Sequence, residues 1–141
     1  MREDAPTRRT TRLESDGQSL GRALRPRGPV RLALSKRVVT GATILEVGGE
    51  LDVLTTAKLG AELDDIVRKQ TGKVIVDLSG TGFVDSAGLQ LLLSAQRRLS
   101  RRERVLAVVC GPGQVRRMIE RARLLDALGV VTSLGELDRA G

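Results

Sequence analysis

Val74-Ile75-Val76 is an uninterrupted apolar run between two stretches of helical apolar spacing, and this leaves few folds open. A strand with one wet face alternates apolar and polar residues; a strand covered on both faces need not. Cover on both faces means a parallel or mixed sheet with helices packed on it. Val105-Leu106-Ala107-Val108-Val109 repeats the pattern one helix later. The chain is therefore read as α/β.

The flanking residues fill in the order. Ordered structure is expected from about Val30, with Leu32 and Leu34 alternating against Arg31, Ala33 and Ser35 as a half-buried strand. Thr40-Gly41 reads as a turn, and Thr43, Leu45 and Val47 form the second arm of a hairpin that Gly48-Gly49 is expected to end. After Glu50-Leu51-Asp52 a helix is predicted near Thr55 or Thr56, either able to cap it, with Leu59, Leu63, Ile66 and Val67 as its apolar stripe. Gly72 marks its end. The next helix is predicted over Ser86 to Leu99, with Leu89, Leu92, Leu93 and Gln96 on successive turns and Arg97, Arg98, Arg101 and Arg102 at its C-terminal end. Val115, Met118, Ile119 and Ala122 give a third stripe behind Gly111-Pro112-Gly113. Val130-Val131 reads as a short last strand, and Ser133-x-x-Glu136 as the capping box of a brief terminal helix. The order is β-β-α-β-α-β-α-β-α, a single α/β domain with a mixed sheet of about four or five strands and about four helices.

Composition removes whole classes of chemistry. The 141 residues contain no histidine, which excludes Ser-His-Asp hydrolysis, Cys-His proteolysis and the usual zinc sites. Phe83 is the sole aromatic residue, so single-strand nucleic-acid modules built on stacking are disfavoured. Cys110 is the single cysteine and allows no disulfide within the chain; after five apolar residues it reads as a small buried side chain. Residues 1–29 hold seven Arg against four acids, lack apolar periodicity, and read as a flexible basic leader to a domain spanning 30–141. The net charge of +7 is dispersed and accompanies no recognition motif, so it suits an acidic partner surface better than nucleic acid. No apolar run is long enough to span a bilayer, and a cytoplasmic protein without cofactor or metal is expected.

The chemistry concentrates in Asp77-Leu78-Ser79-Gly80-Thr81-Gly82-Phe83-Val84-Asp85-Ser86-Ala87-Gly88-Leu89. A strand is expected to end here in a loop that delivers Ser86, beside Asp85, to the start of a helix. Free backbone N–H groups at a helix start favour an anion. The dinucleotide pattern fails because Asp85 stands where its third glycine belongs, leaving Gly80-Thr81-Gly82 as a tight turn. Gly111-Pro112-Gly113 lacks the Lys of a P-loop. The nucleophile elbow would need Gly at 84 and a histidine elsewhere, and has neither. From the residues alone two readings stay open: Asp85 or Ser86 as a helix cap, or Ser86 as a site of reversible phosphorylation.

Asp77–Leu89 resembles the D-L-S-G-x-x-F-x-D-S-x-G-L motif of the STAS domain, typified by bacterial anti-sigma factor antagonists. Gly49-Glu50-Leu51-Asp52 resembles the family's G-E-L-D segment, and the strand before Gly111-Pro112 is a third block in the expected order. The resemblance implies partner switching and no catalysis. The unmodified chain would bind an anti-sigma factor with serine kinase activity and so free a sigma factor; that kinase would phosphorylate Ser86, and a metal-dependent serine phosphatase would reverse it. It implies a partner surface of Asp52, Gly82, Asp85, Ser86, Ala87 and Gly88, on a monomer or weak dimer. Ala87 departs from the Thr of many relatives and leaves Ser86 the only hydroxyl beside Asp85. Rival readings are a stressosome-type scaffold subunit, a nucleotide-binding STAS module, and the regulatory domain of an anion transporter.

Overall fold

The computed structural model describes residues 31–140, with side chains through 137; residues 1–29 and the expected start at Val30 lie outside the described residues. The elements are β1 (Leu32–Val39), β2 (Ala42–Leu51), α1 (Thr56–Lys69), β3 (Lys73–Val84), α2 (Ser86–Ser100), β4 (Leu106–Val109), α3 (Gln114–Arg121), β5 (Val130–Val131) and α4 (Leu134–Ala140). This is the expected order. The strands form one five-stranded sheet in sequence order, β1 antiparallel to β2 and all later neighbours parallel.

Both faces of β3 are covered, as its apolar run requires. Val74 and Val76 join Leu45, Val47 and Val108 in the main core beneath α1, α2 and α3, while Ile75 points the other way with Ile44 and Val109 against Leu134 and Leu137 of α4. From α1 the stripe Leu59, Leu63, Ile66 and Val67 is buried as read from the sequence. On α2 the buried face is Gly88, Leu89, Leu92, Ala95 and Leu99, so Leu93 and Gln96 only flank it. The two small residues carry little hydrophobic weight but let the helix approach its neighbours closely. On α3 only Val115 and Ile119 are buried, and Ala122 is an exposed C-cap. Leu124, Leu125 and Leu128, from the turn after Arg123 (φ 63°), complete the core there instead.

Two strand ends differ from expectation for one reason. β2 runs through Gly48-Gly49 to Leu51, and β3 runs through Gly80-Thr81-Gly82 to Val84. Their parallel pairing shifts register between Glu46 and Gly48 and again between Gly49 and Glu50, each time with one extra residue on β3. Gly48 pairs with Gly80 between the two bulges of β3. Gly49 has φ +101°, and a Cβ there would lie 2.3 Å from the Arg31 carbonyl oxygen. Thr81 is buried and its hydroxyl donates to the Val47 carbonyl at 2.7 Å. Thus Gly80-Thr81-Gly82 is bulged strand, not a turn.

Thr55 does not cap α1 with its side chain. The Asp52 carboxylate instead accepts from the Leu54 and Thr55 N–H groups in the loop ahead of the helix. At the other end of the chain Glu136 accepts from the Thr132 N–H, one residue before the Ser133 of the expected capping box.

Cys110 is 3% exposed, and burial pushes its thiol above the usual range, with Arg116 opposing the shift and Asp77 adding to it. The folded state therefore favours the neutral thiol. Its stabilising contribution is intact below the unfolded thiol pKa and declines as pH rises through the raised folded value. Native protein is expected to resist iodoacetamide at pH 8 and to react quickly once unfolded in urea, and Cys110→Ala to flatten the loss of stability above pH 9. Rapid alkylation of the native chain would contradict this placement.

Candidate functional site

In open parallel sheets, ligands and partners are met at the carboxyl ends of the strands, where the strand-to-helix connections emerge. Here the β2–α1 connection and the β3–α2 junction lie against each other. The Asp85 N–H donates to the Leu51 carbonyl at 3.0 Å, continuing the strand pairing by one residue. Asp85 then turns the chain into α2, with extended backbone (φ −106°, ψ −174°).

The Asp85 carboxylate holds both connections. Its Oδ1 accepts from the Gly88 N–H at 3.0 Å, the side-chain cap of α2. Its Oδ2 accepts from the Val53 N–H at 3.2 Å, across from the other loop. The cap is thus filled by Asp85, and Ser86 is not needed for it. Ser86 sits exposed at the first position of α2, and the first turn of that helix carries no acidic side chain. A serine presented this way can accept a phosphate without displacing a packed group.

Asp52 is also engaged within the chain. Its Oδ1 accepts from the Leu54 and Thr55 N–H groups at 2.9 and 3.2 Å, its backbone oxygen from the Thr55 and Thr56 N–H groups at 3.0 Å, and its Oδ2 from the Arg31 guanidinium at 2.5 Å. Thr55 adds a hydroxyl bond to the Glu50 carbonyl at 2.8 Å. These bonds fix the β2–α1 loop in one shape.

The remaining candidates divide by burial. Gly82 is exposed on bulged β3, and Ala87 is half-buried behind Ser86. Gly88 is buried; a Cβ there would lie 2.8 Å from Leu51 Cγ and 3.0 Å from the Leu51 carbonyl oxygen. It is a spacer that lets α2 start against β2. Gly88→Ala is expected to lose about 1–3 kcal/mol in urea denaturation through overpacking, with unchanged stability contradicting the spacer role.

Sequence reasoning missed Val53 and Leu54, which are 70% and 73% exposed between Asp52 and Thr55. The signal was present: two adjacent large apolar residues outside any strand or helix period. A groove of about 530 Å³ lined by Asp64, Val67, Arg68, Arg98, Arg101 and Arg102 lies elsewhere. It opens between the C-terminal halves of α1 and α2, about 20 Å along α2 from Ser86 at 1.5 Å per residue. Among the described residues no cluster of His, Cys, Asp or Glu could hold a metal ion, and no helix is long and apolar enough to cross a membrane.

Comparison with known proteins agrees on this architecture. The anti-sigma-F factor antagonist RsfB of Mycobacterium tuberculosis is 30% identical over 59 residues, which cover 42% of this chain and 48% of RsfB. The matched stretch therefore spans about half the length of that relative. An anti-sigma-B factor antagonist of Staphylococcus aureus is 29% identical over 86 residues, covering 61% of this chain and 80% of its own. Among solved structures, an anti-sigma factor antagonist from Mycobacterium paratuberculosis superposes with a TM-score of 0.74 at 24% identity, covering 80% of this chain and 96% of its own. The Bacillus cell fate determinant SpoIIAA in its phosphorylated form has the same fold, with a TM-score of 0.57 at 19% identity over 77% of this chain and 100% of its own. The STAS domain model matches residues 33–137, most of the chain; the protein belongs to the STAS domain family.

Proposed function

We propose that this chain is an anti-sigma factor antagonist: unmodified, it binds an anti-sigma factor with serine kinase activity and frees a sigma factor, and phosphorylation of Ser86 by that kinase ends the complex. The observation that carries this reading is the division of labour at the α2 start, where Asp85 caps the helix and Ser86 is left exposed. The names of the relatives support the antagonist class, and a fold-mate solved in a phosphorylated form supports the modification.

The electrostatics support a switch that acts at the interface. A phosphate adds roughly −1.5 to −2 charges at neutral pH, and the N-terminus of α2 tolerates them. The fold therefore survives. The dianion nevertheless lies beside Asp85 on the contact surface, where docking must strip its water without supplying a partner. A metal-dependent serine phosphatase restores the hydroxyl and the binding-competent state. The test is incubation with the kinase and ATP followed by mass spectrometry, with Ser86 expected as the modified residue; modification elsewhere, with Ser86 untouched, overturns the reading.

Asp52 and Asp85 act on the partner through the loop they hold. Asparagine caps a helix about as well as aspartate, but its amide accepts through one oxygen only, so Asp85→Asn keeps one of the two bonds. Asp85→Asn is expected to lose under about 1 kcal/mol of stability while partner affinity falls about tenfold, read by thermal denaturation and calorimetric titration. A large stability loss with unaltered affinity would make the carboxylate a cap and nothing more.

A further inference from the structure

Val53 and Leu54 are the most exposed large apolar side chains among the described residues, at 70% and 73%. Single exposed apolar residues are ordinary on a protein surface, but an adjacent pair held in a fixed shape is not explained by chance exposure. These two are held. The Val53 N–H is bound by Asp85 Oδ2 and the Leu54 N–H by Asp52 Oδ1, while Thr55 behind them is buried and anchored to Glu50. The pair is therefore tied, through the Asp85 carboxylate, to the same turn that presents Ser86. The other exposed pair, Val38 and Val39, flanks the β1–β2 turn at the opposite end of β2 and has no comparable tether to a functional group.

Resting on the function proposed above, we propose that Val53 and Leu54 form a preorganised apolar knob that seats in an apolar pocket of the anti-sigma partner, beside the Ser86 contact. Continuity with the Ser86 surface argues for that occupant. Because the backbone hydrogen bonds already fix the loop, docking loses little conformational freedom, and the apolar area that the pair buries counts almost in full toward affinity. Ser86 then supplies the switch and the knob supplies affinity and partner choice. A partner whose pocket does not fit the pair would be refused even with Ser86 unmodified.

The experiment titrates the full chain with the anti-sigma kinase that phosphorylates Ser86. The variants are Val53→Ser/Leu54→Ser and, as a control at the other end of β2, Val38→Ser. Both sites are exposed, so folding is expected to be retained, with thermal denaturation as the check. The knob variant is expected to bind about a hundredfold more weakly, and to raise KM for Ser86 phosphorylation while leaving kcat unchanged; the control stays within about twofold. A second readout uses Leu54→Cys carrying an environment-sensitive fluorophore, which labels selectively because Cys110 is buried. Its emission is expected to shift to the blue on complex formation. Equal affinity of wild type and knob variant, with Ser86 still phosphorylated, sinks the knob and spares the antagonist reading. A wild-type chain that the kinase neither binds nor modifies sinks both. Light scattering that shows a dimer lost in the knob variant, with partner affinity unchanged, would assign the pair to a second copy of this chain and also overturn the proposal.

Discussion

Ser86→Asp is expected to bind the anti-sigma partner at least about tenfold more weakly than the unmodified chain, and the Ser86 phosphoprotein about a hundredfold or more weakly. The difference follows from charge: a carboxylate carries one negative charge on a short stem, the phosphate roughly −1.5 to −2 with three acceptor oxygens. Both place an anion beside Asp85, whose two oxygens are already occupied by the Gly88 and Val53 N–H groups and offer no relief. The helix start softens the repulsion within the free chain but not the cost of desolvating the anion against a partner. Ser86→Ala removes the acceptor of phosphate and leaves Asp85, the cap and the loop intact. It is therefore expected to bind like wild type and to hold sigma-dependent transcription constitutively high in a reporter strain. Low transcription from Ser86→Ala, with normal folding, would contradict the switch.

Gly49→Ala is expected to be the most damaging single methyl in the sheet. Two costs combine. An L side chain at φ +101° carries backbone strain of about 1–2 kcal/mol, and the added Cβ would sit 2.3 Å from the Arg31 carbonyl, backbone that cannot swing aside. Together these come to roughly 2–5 kcal/mol, a large share of the 5–15 kcal/mol typical of a domain. Gly41→Ala separates the two terms, because Gly41 also has positive φ (+79°) but nothing within 4 Å of an added Cβ. It is expected to lose only the backbone part. The consequence reaches the site: the bulges beside Gly49 set the register Leu51 to Val84, and with it the Asp85 bond to Leu51 that positions Ser86. Equal urea-denaturation losses for the two variants would show that the clash is relieved elsewhere.

The order of elements was legible because each carries a period: alternation in β1 and β2, a continuous run in β3, and stripes of Leu, Ile and Val on the helices. What misled was glycine. Gly48-Gly49 and Gly80-Gly82 read as punctuation, since glycine most often ends strands. In the fold they sit inside two paired strands: Gly49 takes a positive φ with the Arg31 carbonyl against it, and Gly48 pairs with Gly80 between the two bulges. Small residues hid the buried face of α2 for a related reason, as Gly88 and Ala95 pack closely without adding hydrophobic weight. At the candidate site, the motif singles out Ser86, but the sequence could not decide between Asp85 and Ser86 as the cap, both being good cap formers. Only geometry separates them. Val53 and Leu54 escaped because a pair of apolar residues in a loop has no period, and no sequence pattern shows that the Asp52 oxygens bind the Leu54 and Thr55 N–H groups and the Arg31 guanidinium.

The most direct test of the switch is a calorimetric titration of the anti-sigma kinase with the full chain before and after stoichiometric phosphorylation of Ser86, with circular dichroism recorded on both forms. The proposed function predicts tight binding by the unmodified chain, loss of measurable binding by the phosphoprotein, and superimposable spectra. Equal affinity of the two forms, or loss of binding only alongside loss of structure, would contradict it.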